Sequence, residues 1–327
     1  MRRNLFAGRR RSEGVDFDVL TADDLQDIHA GTLEVLDRTG VFVEDEEARA
    51  VFAGAGAEVD DAQGVVRIPP RVVEEAIRTA PSQVTLCGRN PKNDIVLQPG
   101  RVGFTNFGEG VKVVDPYTGE VRVPTKVDVG MTARVVDYLP NVDVYERAIT
   151  AMDVPQDIAP LHQAEAWFTN TSKHGFMGSG NGYLSEKLLD MAAAIVGGRE
   201  KLRRRPIISF ITCPVSPLKL VQDTCEIIMT AARGGVAVNI LSMAMAGGSS
   251  PVTLAGTLVT HNAEVLAGLT LSQLTQPGAA VVYGSSTTAM DLRLAAASVG
   301  SPECGLISAA VAQIARFYLL PSWVAGA

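Results

Sequence analysis

The chain has 327 residues, of which 46% are hydrophobic and 20% charged, as expected for an ordinary globular protein of one large domain or two. Its formal net charge of −7 excludes nucleic acid as a main partner, because no basic patch outweighs the acidic residues. The basic start, with Arg2, Arg3 and Arg9–Arg11, is not followed by an apolar stretch, so we expect a solvated tail rather than a secretion signal.

Neither a membrane span nor a disulfide framework is expected. The most apolar stretch, Val252–Gln276, carries His261, Asn262 and Glu264, which a spanning helix would avoid. The four cysteines lie far apart without CxxC spacing, so they are expected to be buried and inert. We therefore expect a cytoplasmic protein.

The first hundred residues have the pattern of a small α+β unit. Thr21 is a predicted helix N-cap, with Asp24 three residues later, and Gly40 is predicted to end that helix. Val41–Val43 predicts a strand, and Pro70 suits the first turn of a later helix. We expect residues 1–100 to pack as an α+β segment beside a main domain that occupies residues 101–327.

From Val102 onward, short apolar runs alternate with longer helical patterns, after a predicted hairpin at Lys112–Val123. The predicted strands are Val102–Phe107, Val142–Ile149, Gly175–Ser179, Pro206–Thr212, Val236–Leu241, Ala279–Tyr283 and a run from Pro321. The predicted helices are Thr125–Leu139, Ile158–Thr171, Ser185–Val196, Pro217–Arg233, Pro251–Gln276 and a helical pattern up to Leu320. This alternation predicts a parallel sheet built from βα units.

The predicted fold class is α/β, an incomplete TIM (β/α)8 barrel preceded by the small α+β segment. A complete barrel takes roughly 250 residues and eight units, and the pattern here lacks about the last one to two units. A doubly wound open sheet is the alternative. Its only glycine-rich candidate, Gly178-Ser-Gly-Asn-Gly-Tyr, is followed by a strand with no acidic residue to bind a ribose.

Several motifs, in this order, resemble the trimethylamine methyltransferase (MttB-like) family. They are Thr39-Gly-Val-Phe-Val-Glu-Asp, Val66-Arg-Ile-Pro-Pro, Leu86-Cys-Gly-Arg-Asn-Pro, Asp115-Pro-Tyr-Thr-Gly-Glu, His174-Gly-Phe-Met, Thr212-Cys-Pro-Val-Ser-Pro-Leu, the run from Leu241 to Gly256, and Val282-Tyr-Gly-Ser. The resemblance covers nearly the whole chain. It implies a TIM-barrel fold and transfer of a methyl group from a methylated amine to the cobalt of a separate corrinoid protein.

The resemblance also implies where the catalytic residue lies. In the trimethylamine enzymes of this family a pyrrolysine, encoded by an in-frame UAG, follows a motif similar to Leu320-Pro-Ser-Trp-Val-Ala-Gly-Ala, on which this chain stops. The expectation is a reading frame truncated at that codon, with the main catalytic residue directly after Ala327. The chain as given is then expected to be inactive, and insoluble or molten when expressed alone.

Two alternatives remain open beside trimethylamine as the substrate. One is a pyrrolysine-free relative that demethylates a quaternary amine such as glycine betaine, and the other is an inactive truncated fragment. The expected partners are a corrinoid protein and a small methylated amine, with no nucleic acid and no membrane, and the protein is expected to be a homo-oligomer. No cofactor is expected to bind directly, since cobalamin would be presented by the partner.

The chemistry requires the amine nitrogen to be cationic, because a neutral tertiary amine would have to leave as a strongly basic nitrogen. Carboxylates, aromatic faces and small hydroxyl residues at the carboxyl ends of barrel strands suit this task. Glu109 and Tyr283 are the catalytic candidates, although Glu109 would also fit a solvated loop. Glu146 is a further candidate or simply an outward strand residue, and His174, directly before a strand, is predicted to be structural. The substrate- or corrinoid-binding candidates are Asn106, Ser242, Met243, Ser285 and Ser286.

Overall fold

The computed structural model describes residues 17–325. The basic tail that the sequence analysis expects to be solvated lies outside these residues, and so do Gly326 and Ala327. Among the described residues, no helix is both long enough and apolar enough to cross a bilayer.

Ten α-helices occur within the described range. They are α1 Ala22–Glu34, α2 Glu46–Gly54, α3 Pro70–Thr79, α4 Lys126–Tyr138, α5 Ala159–Asn170, α6 Gly182–Val196, α7 Arg199–Arg204, α8 Gln222–Gly234, α9 Leu254–Thr275 and α10 Pro302–Phe317. The predicted cap of α1 is present as a capping box, in which Thr21 accepts from the backbone of Asp24 and the Asp24 side chain accepts from Thr21.

The same residues form seventeen short strands. They are β1 Val41–Val43, β2 Glu58–Asp60, β3 Val65–Arg67, β4 Val84–Leu86, β5 Ile95–Leu97, β6 Val113–Val114, β7 Val121–Arg122, β8 Val144–Glu146, β9 His174–Gly178, β10 Ile208–Thr212, β11 Lys219–Leu220, β12 Val238–Ser242, β13 Met245–Ala246, β14 Val281–Ser285, β15 Thr288–Asp291, β16 Ala296–Ala297 and β17 Ser322–Val324.

The main sheet has six parallel strands in the order β17-β14-β12-β10-β9-β8. Each strand therefore lies next to the following one in the chain, and the intervening helices α5 to α10 return the chain to start the next strand. A doubly wound sheet would reverse direction from a central strand, and this sheet does not. The predicted parallel sheet of βα units is confirmed.

The sheet curls strongly about its strand axes. Phe176 on β9 and Trp323 on β17 have ring centroids 6.3 Å apart, although β10, β12 and β14 lie between their strands. In a flat sheet, four strand spacings would separate them by roughly 19 Å. The two rings therefore meet across the inside of the curve, and the six strands make an incomplete α/β barrel, as predicted.

We call the inner side of this curve the concave face. Side chains alternate between the two faces along each strand. Gly175 faces the helices on the outer side of the sheet, because a Cβ there would lie 1.9 Å from the Trp167 ring of α5. Ile240 likewise faces Gly268 of α9. The concave face is therefore lined by the alternate residues, Val144, Glu146, Phe176, Ser209, Asn239 and Val282.

The N-terminal segment packs against the main sheet, and one of its own sheets takes in a strand from the loop after β10. The β4–β5 hairpin packs Val84, Leu86 and Ile95 into a small core with Val144 and Phe176. Strand β1 pairs with β3 on one side and with β11 on the other, so the loop after β10 completes the N-terminal sheet. Helices α1 and α3 pack on α9.

The predicted first barrel strand at Val102–Phe107 is wrong as a regular strand. Only an isolated parallel bridge joins Thr105 to Val144. The reason is that the Asn106 side chain takes the place of the backbone: its Oδ1 accepts from the Glu146 N–H (3.0 Å) and its Nδ2 donates to the Glu146 carbonyl (2.7 Å). The predicted hairpin at Lys112–Val123 is confirmed as β6 and β7.

Two helical predictions need shortening. Helix α8 begins at Gln222 rather than Pro217, because Leu218 has a positive φ of 56° and β11 pairs with the N-terminal sheet. The helical pattern predicted after Thr288 and up to Leu320 contains most of β15 and all of β16 before α10 begins. There the Asp291 side chain accepts from the N–H groups of Arg293 and Leu294, a local turn that competes with helix formation.

Candidate active site

A buried carboxyl group stands at the carboxyl end of β8 on the concave face. Glu146 is only 6% exposed, and its Oε2 has no hydrogen-bond partner among the residues that the structure describes. Its backbone N–H and carbonyl are both held by Asn106, so the position of the residue is fixed while its carboxyl oxygen is not satisfied. A buried polar atom without a partner indicates a place for a ligand or a water molecule.

The surroundings of Glu146 favour its protonated form. Burial, and to a smaller extent the charge of Glu109, raise the pKa of this carboxyl from its usual 4.5 to about 8, although Arg147 acts in the opposite direction. Near neutral pH the group is therefore mostly neutral, and an incoming cation would shift it toward the carboxylate. A perturbed carboxyl at the carboxyl end of a barrel strand is typical of a functional site.

Glu109 and Arg147 form an ion pair beside this carboxyl. The Arg147 guanidinium also donates to Gln163 Oε1 (2.7 Å) and to the Gly178 carbonyl (3.3 Å), which anchors it to α5 and to the end of β9. The backbone N–H of Glu109 donates to the Arg147 carbonyl (2.9 Å), so the two residues are bound through both backbone and side chain. Glu109 is half exposed and faces the space above Gly178, where a Cβ would lie 3.1 Å from its Oε1.

The structure brings Asn106 and Glu109 together around Glu146, but it places Tyr283, Ser242 and Ser285 elsewhere. Tyr283 is fully buried on the helix side of β14, where its hydroxyl donates to Asn262 Oδ1 of α9 (2.7 Å). Ser242 also points to α9 and donates to Glu264 (2.6 Å). Ser285 accepts from the N–H of Thr287 (3.1 Å).

The two candidates that follow strand ends lie nearer to the open carboxyl edge. Met243, directly after β12, is 52% exposed. Ser286, directly after β14, is only partly buried, and its backbone N–H donates to the Ser242 carbonyl (2.9 Å). Neither residue contacts the carboxyl cluster through a hydrogen bond that the structure shows.

For Glu146 the sequence left the direction of the side chain open, and two further residues of the site were missed. Glu146 faces inward, not outward, because β8 pairs with β9 so that Glu146 lies opposite Phe176. Arg147 was not singled out, although it follows Glu146 directly. Asn239 was also missed, and it is fully buried on the concave face with both amide atoms unpartnered. An asparagine inside the apolar run Val236–Leu241 was the available signal for it.

His174 and Cys213 have no catalytic geometry. His174 opens β9 at the opposite end of the strand and contacts the Cys87 carbonyl (3.1 Å) and Ser209 Oγ (2.8 Å), as its predicted structural role requires. Burial lowers its pKa to about 4. Cys213 follows β10, and burial together with the charges of Glu109 and Glu146 raises the pKa of its thiol to about 12. A neutral thiol is a poor nucleophile.

A cavity of about 1340 Å³ opens along the concave face. Phe176, Ser209, Val282 and Trp323 line it on the sheet side, and residues 97–107 line it on the other. Within residues 17–325, no group of three or more His, Cys, Asp or Glu side chains is arranged to hold a metal ion. Of the polar residues around Glu146, Asn106 is the one that also lines this cavity.

These features define an α/β barrel protein with a buried carboxyl cluster at the carboxyl ends of its strands. Comparison with known proteins identifies the group to which it belongs. A family model described as trimethylamine methyltransferase (MTTB) matches residues 8–327, and the chain belongs to this family. The resemblance found in the sequence motifs is thereby confirmed.

Individual relatives agree with this assignment. The chain is 51% identical to trimethylamine methyltransferase MttB of Desulfitobacterium hafniense over 98% of this chain and 64% of that protein. It is 46% identical to the protein of the same name from Methanosarcina barkeri over 99% of this chain and 66% of that protein. A glycine betaine methyltransferase from Desulfitobacterium hafniense is 34% identical over 94% of this chain and 64% of that protein. The chain thus spans just under two thirds of the length of these relatives.

A solved structure agrees with the fold. The monomethylamine methyltransferase (MtmB) of Methanosarcina barkeri matches with a TM-score of 0.53 over 92% of this chain and 67% of that chain, at 13% sequence identity. At this identity the likeness concerns the fold alone.

Proposed function

We propose that the protein containing this chain removes a methyl group from trimethylamine and passes it to the cobalt of a corrinoid held by a partner protein. The observation that carries the proposal is the buried Glu146 carboxyl, unpartnered at Oε2 and placed at the carboxyl end of a barrel strand. Membership of the trimethylamine methyltransferase family supports the choice of substrate.

The charges of the cluster suit a single ammonium ion. With Glu146 ionised, two carboxylates and one guanidinium leave one net negative charge among Glu146, Glu109 and Arg147. Trimethylamine is cationic near neutral pH, and a cation within contact distance lowers the pKa of a carboxyl group. Glu146 would therefore release its proton when the ammonium ion binds, and the buried pair would be stronger than one in water.

Cationic nitrogen is what demethylation requires. When the carbon–nitrogen bond breaks, its electron pair stays on nitrogen, and a protonated trimethylamine leaves as neutral dimethylamine. A corrinoid presented by the partner would supply the low-valent cobalt that accepts the methyl carbon. The residues of this chain contribute by orienting the amine, excluding water and stabilising its charge.

The rim of the site fits contact with a large planar ring. Met243, directly after β12, is 52% exposed, Phe107 is 72% exposed, and both are apolar. Gly178 and Gly284 have no side chains of their own at the neighbouring strand ends, where the Glu109 carboxylate and the Asn239 amide lie over them instead. We infer that Met243 and Phe107 would contact the corrin ring.

Glycine betaine is the second candidate substrate, because one relative of 34% identity bears that name. Its carboxylate would lie near Glu109 and Glu146, and the Arg147 guanidinium that would otherwise attract it is already bound to Glu109 and Gln163. Like charges in a buried site repel strongly. The carboxylate-free amine therefore fits this cluster better.

The test is calorimetric titration of the full-length protein with trimethylammonium chloride at pH 7 in two buffers of different ionisation enthalpy. We expect release of up to about one proton per amine bound, because a group with a pKa near 8 is mostly protonated at that pH. Glu146→Gln should abolish the proton release and weaken binding about tenfold or more. The surface change Glu165→Gln is the matched control.

Formation of dimethylamine in the presence of the corrinoid partner is measured on the same variants. Binding without proton release, and with equal affinity in Glu146→Gln, would remove Glu146 from the site. Demethylation of glycine betaine but not of trimethylamine would replace the first candidate substrate with the second.

A further inference from the structure

The side chain of Asn239 is a buried amide with no hydrogen-bond partner. The residue is 0% exposed, and within residues 17–325 neither Oδ1 nor Nδ2 makes a hydrogen bond. A buried amide atom left without a hydrogen bond is destabilising, so an amide held in this way indicates a ligand that completes it.

The amide faces the inside of the barrel. In the parallel sheet Asn239 pairs with Ile211 on one side and with Val282, which lines the cavity, on the other. Its neighbour Ile240 points the opposite way, into the helices. The side chain lies across the bare backbone of Gly284, where a Cβ would come within 2.0 Å of Oδ1.

Asn239 also lies level with the carboxyl cluster. Gly178, Ile211 and Asn239 are register neighbours on three successive strands, and the Glu109 carboxylate lies over Gly178. Two strand spacings, roughly 10 Å before the curl of the sheet is counted, separate Asn239 from Gly178. A small ligand placed over Gly178 and Ile211 would therefore have acidic groups on one side and the amide on the other.

We propose that Asn239 Oδ1 accepts the single N–H of a protonated tertiary amine and so determines which amines this site selects. The inference rests on the proposed function of the same site. A tertiary ammonium ion has one N–H donor and three methyl groups, whereas a quaternary ammonium ion has the same charge and no donor. Glu109 and Glu146 attract both ions, so only a directional acceptor can separate them.

The neighbouring charges decide which atom of the amide is used. Nδ2 could donate to a carboxylate ligand, but a carboxylate would be repelled by Glu109. A cation with an N–H suits both the charge and the free acceptor. A site built to hydrogen-bond a donor discriminates strongly against an analogue without it, because the buried acceptor is then left unpaired.

The experiment compares the binding of trimethylammonium and tetramethylammonium chloride to the full-length protein by calorimetry at pH 7. The wild-type protein should bind trimethylammonium at least about tenfold more tightly than tetramethylammonium. This ratio of the two affinities is what a hydrogen bond to a charged donor is expected to give. Asn239→Leu, of similar volume without polar atoms, should bring the ratio close to one. Asn239→Asp keeps an acceptor and should retain the preference.

A second variant protects the test against misfolding. Gly284→Ala keeps the asparagine but puts a methyl group within 2.0 Å of the present position of its Oδ1, so the amide must move and the ratio should also fall. Thr270→Val, a buried change within α9, is the control that should leave the ratio unchanged. Circular dichroism establishes that each variant is folded.

The outcomes are distinct. A ratio that survives in both Asn239→Leu and Gly284→Ala overturns the assignment of Asn239, and water then satisfies the amide. A wild-type protein that binds both ions equally also overturns it, while the proposed function stands. If neither ion binds, the proposed function fails, and this inference fails with it.

Discussion

The Glu146 carboxyl lies directly against the bare backbone of Gly108. A Cβ at Gly108 would come within 2.4 Å of Glu146 Oε1, so the absence of a side chain at one residue creates the space for the carboxyl of the other. The segment 105–110 thus does two things at once: Asn106 fixes the backbone of Glu146, and Gly108 accommodates its side chain.

Gly108→Ala should therefore displace the carboxyl without unfolding the protein. The nearest atoms to the added methyl group are Oε1, Cδ and Cγ of the Glu146 side chain rather than backbone, so a rotation of that side chain can relieve the contact. We expect amine affinity to fall about tenfold, the effect of losing one charge-assisted contact, with a small change in melting temperature. Gly305→Ala, where a Cβ would meet nothing within 4 Å, is the control. Unchanged affinity in Gly108→Ala would mean that the position of the carboxyl is not important for binding.

Glu146 should make the folded state less stable as the pH rises. In the unfolded chain it ionises near pH 4.5, whereas in the folded protein its pKa is about 8. Between these values the unfolded state has lost a proton that the folded state keeps, so stability falls with increasing pH. At pH 8.5, Glu146→Gln should therefore be more stable than wild type by a free energy of unfolding on the order of a few kcal/mol, and it should melt at a higher temperature. At pH 4.5 the two proteins should have nearly the same stability. Scanning calorimetry at both pH values checks this, and an equal gain at both would refute it.

Buried histidines should make the folded state less stable as the pH falls into the acid range. Burial lowers the pKa of His174 to about 4 and that of His261 to about 3, from the ordinary 6.5. As the pH falls from 6.5 toward 4, the unfolded chain takes up protons that the folded protein does not, so stability is lost in that window. Urea unfolding should show a shallower loss for His261→Gln than for wild type. Parallel curves would exclude His261 as a source of the acid sensitivity.

The contact between Gly175 and Trp167 should be intolerant of any side chain. A Cβ at Gly175 would lie 1.9 Å from the Trp167 ring, which is almost fully buried between α5 and β9. Gly175→Ala should destabilise the protein by about 1–3 kcal/mol or more through overpacking. Chemical denaturation measures the change, and Gly54→Ala, which has open space around it, provides the comparison. A change below that of the control would show that the ring moves aside freely.

The sequence predicted the order of strands and helices well, because buried parallel strands are short apolar runs that helices of ordinary length separate. The segment Val102–Phe107 was misread because a side-chain amide, Asn106, makes the bonds that a strand backbone would make. The hydrophobicity pattern of a sequence does not show that a side chain has replaced the backbone in these hydrogen bonds.

The site was harder to predict than the fold for a different physical reason. Whether Glu146 points inward depends on its register against Phe176, and a shift of one residue would send it to the helices. The same rule places Tyr283 and Ser242 among the helices rather than in the barrel. The local sequence shows that side chains alternate between the two faces of a strand. Which residues face inward is decided by the packing of the whole sheet.

Because β1 pairs with β11, the N-terminal sheet cannot be completed early during synthesis on the ribosome. Phe42 lies beside Lys219, so the N-terminal sheet keeps an open edge until the chain has been synthesised past that residue. Contacts of such long sequence separation form late and slow the search for the native state. A nascent chain arrested before Lys219 should therefore present an unsatisfied strand edge to chaperones, and one arrested after α8 should not.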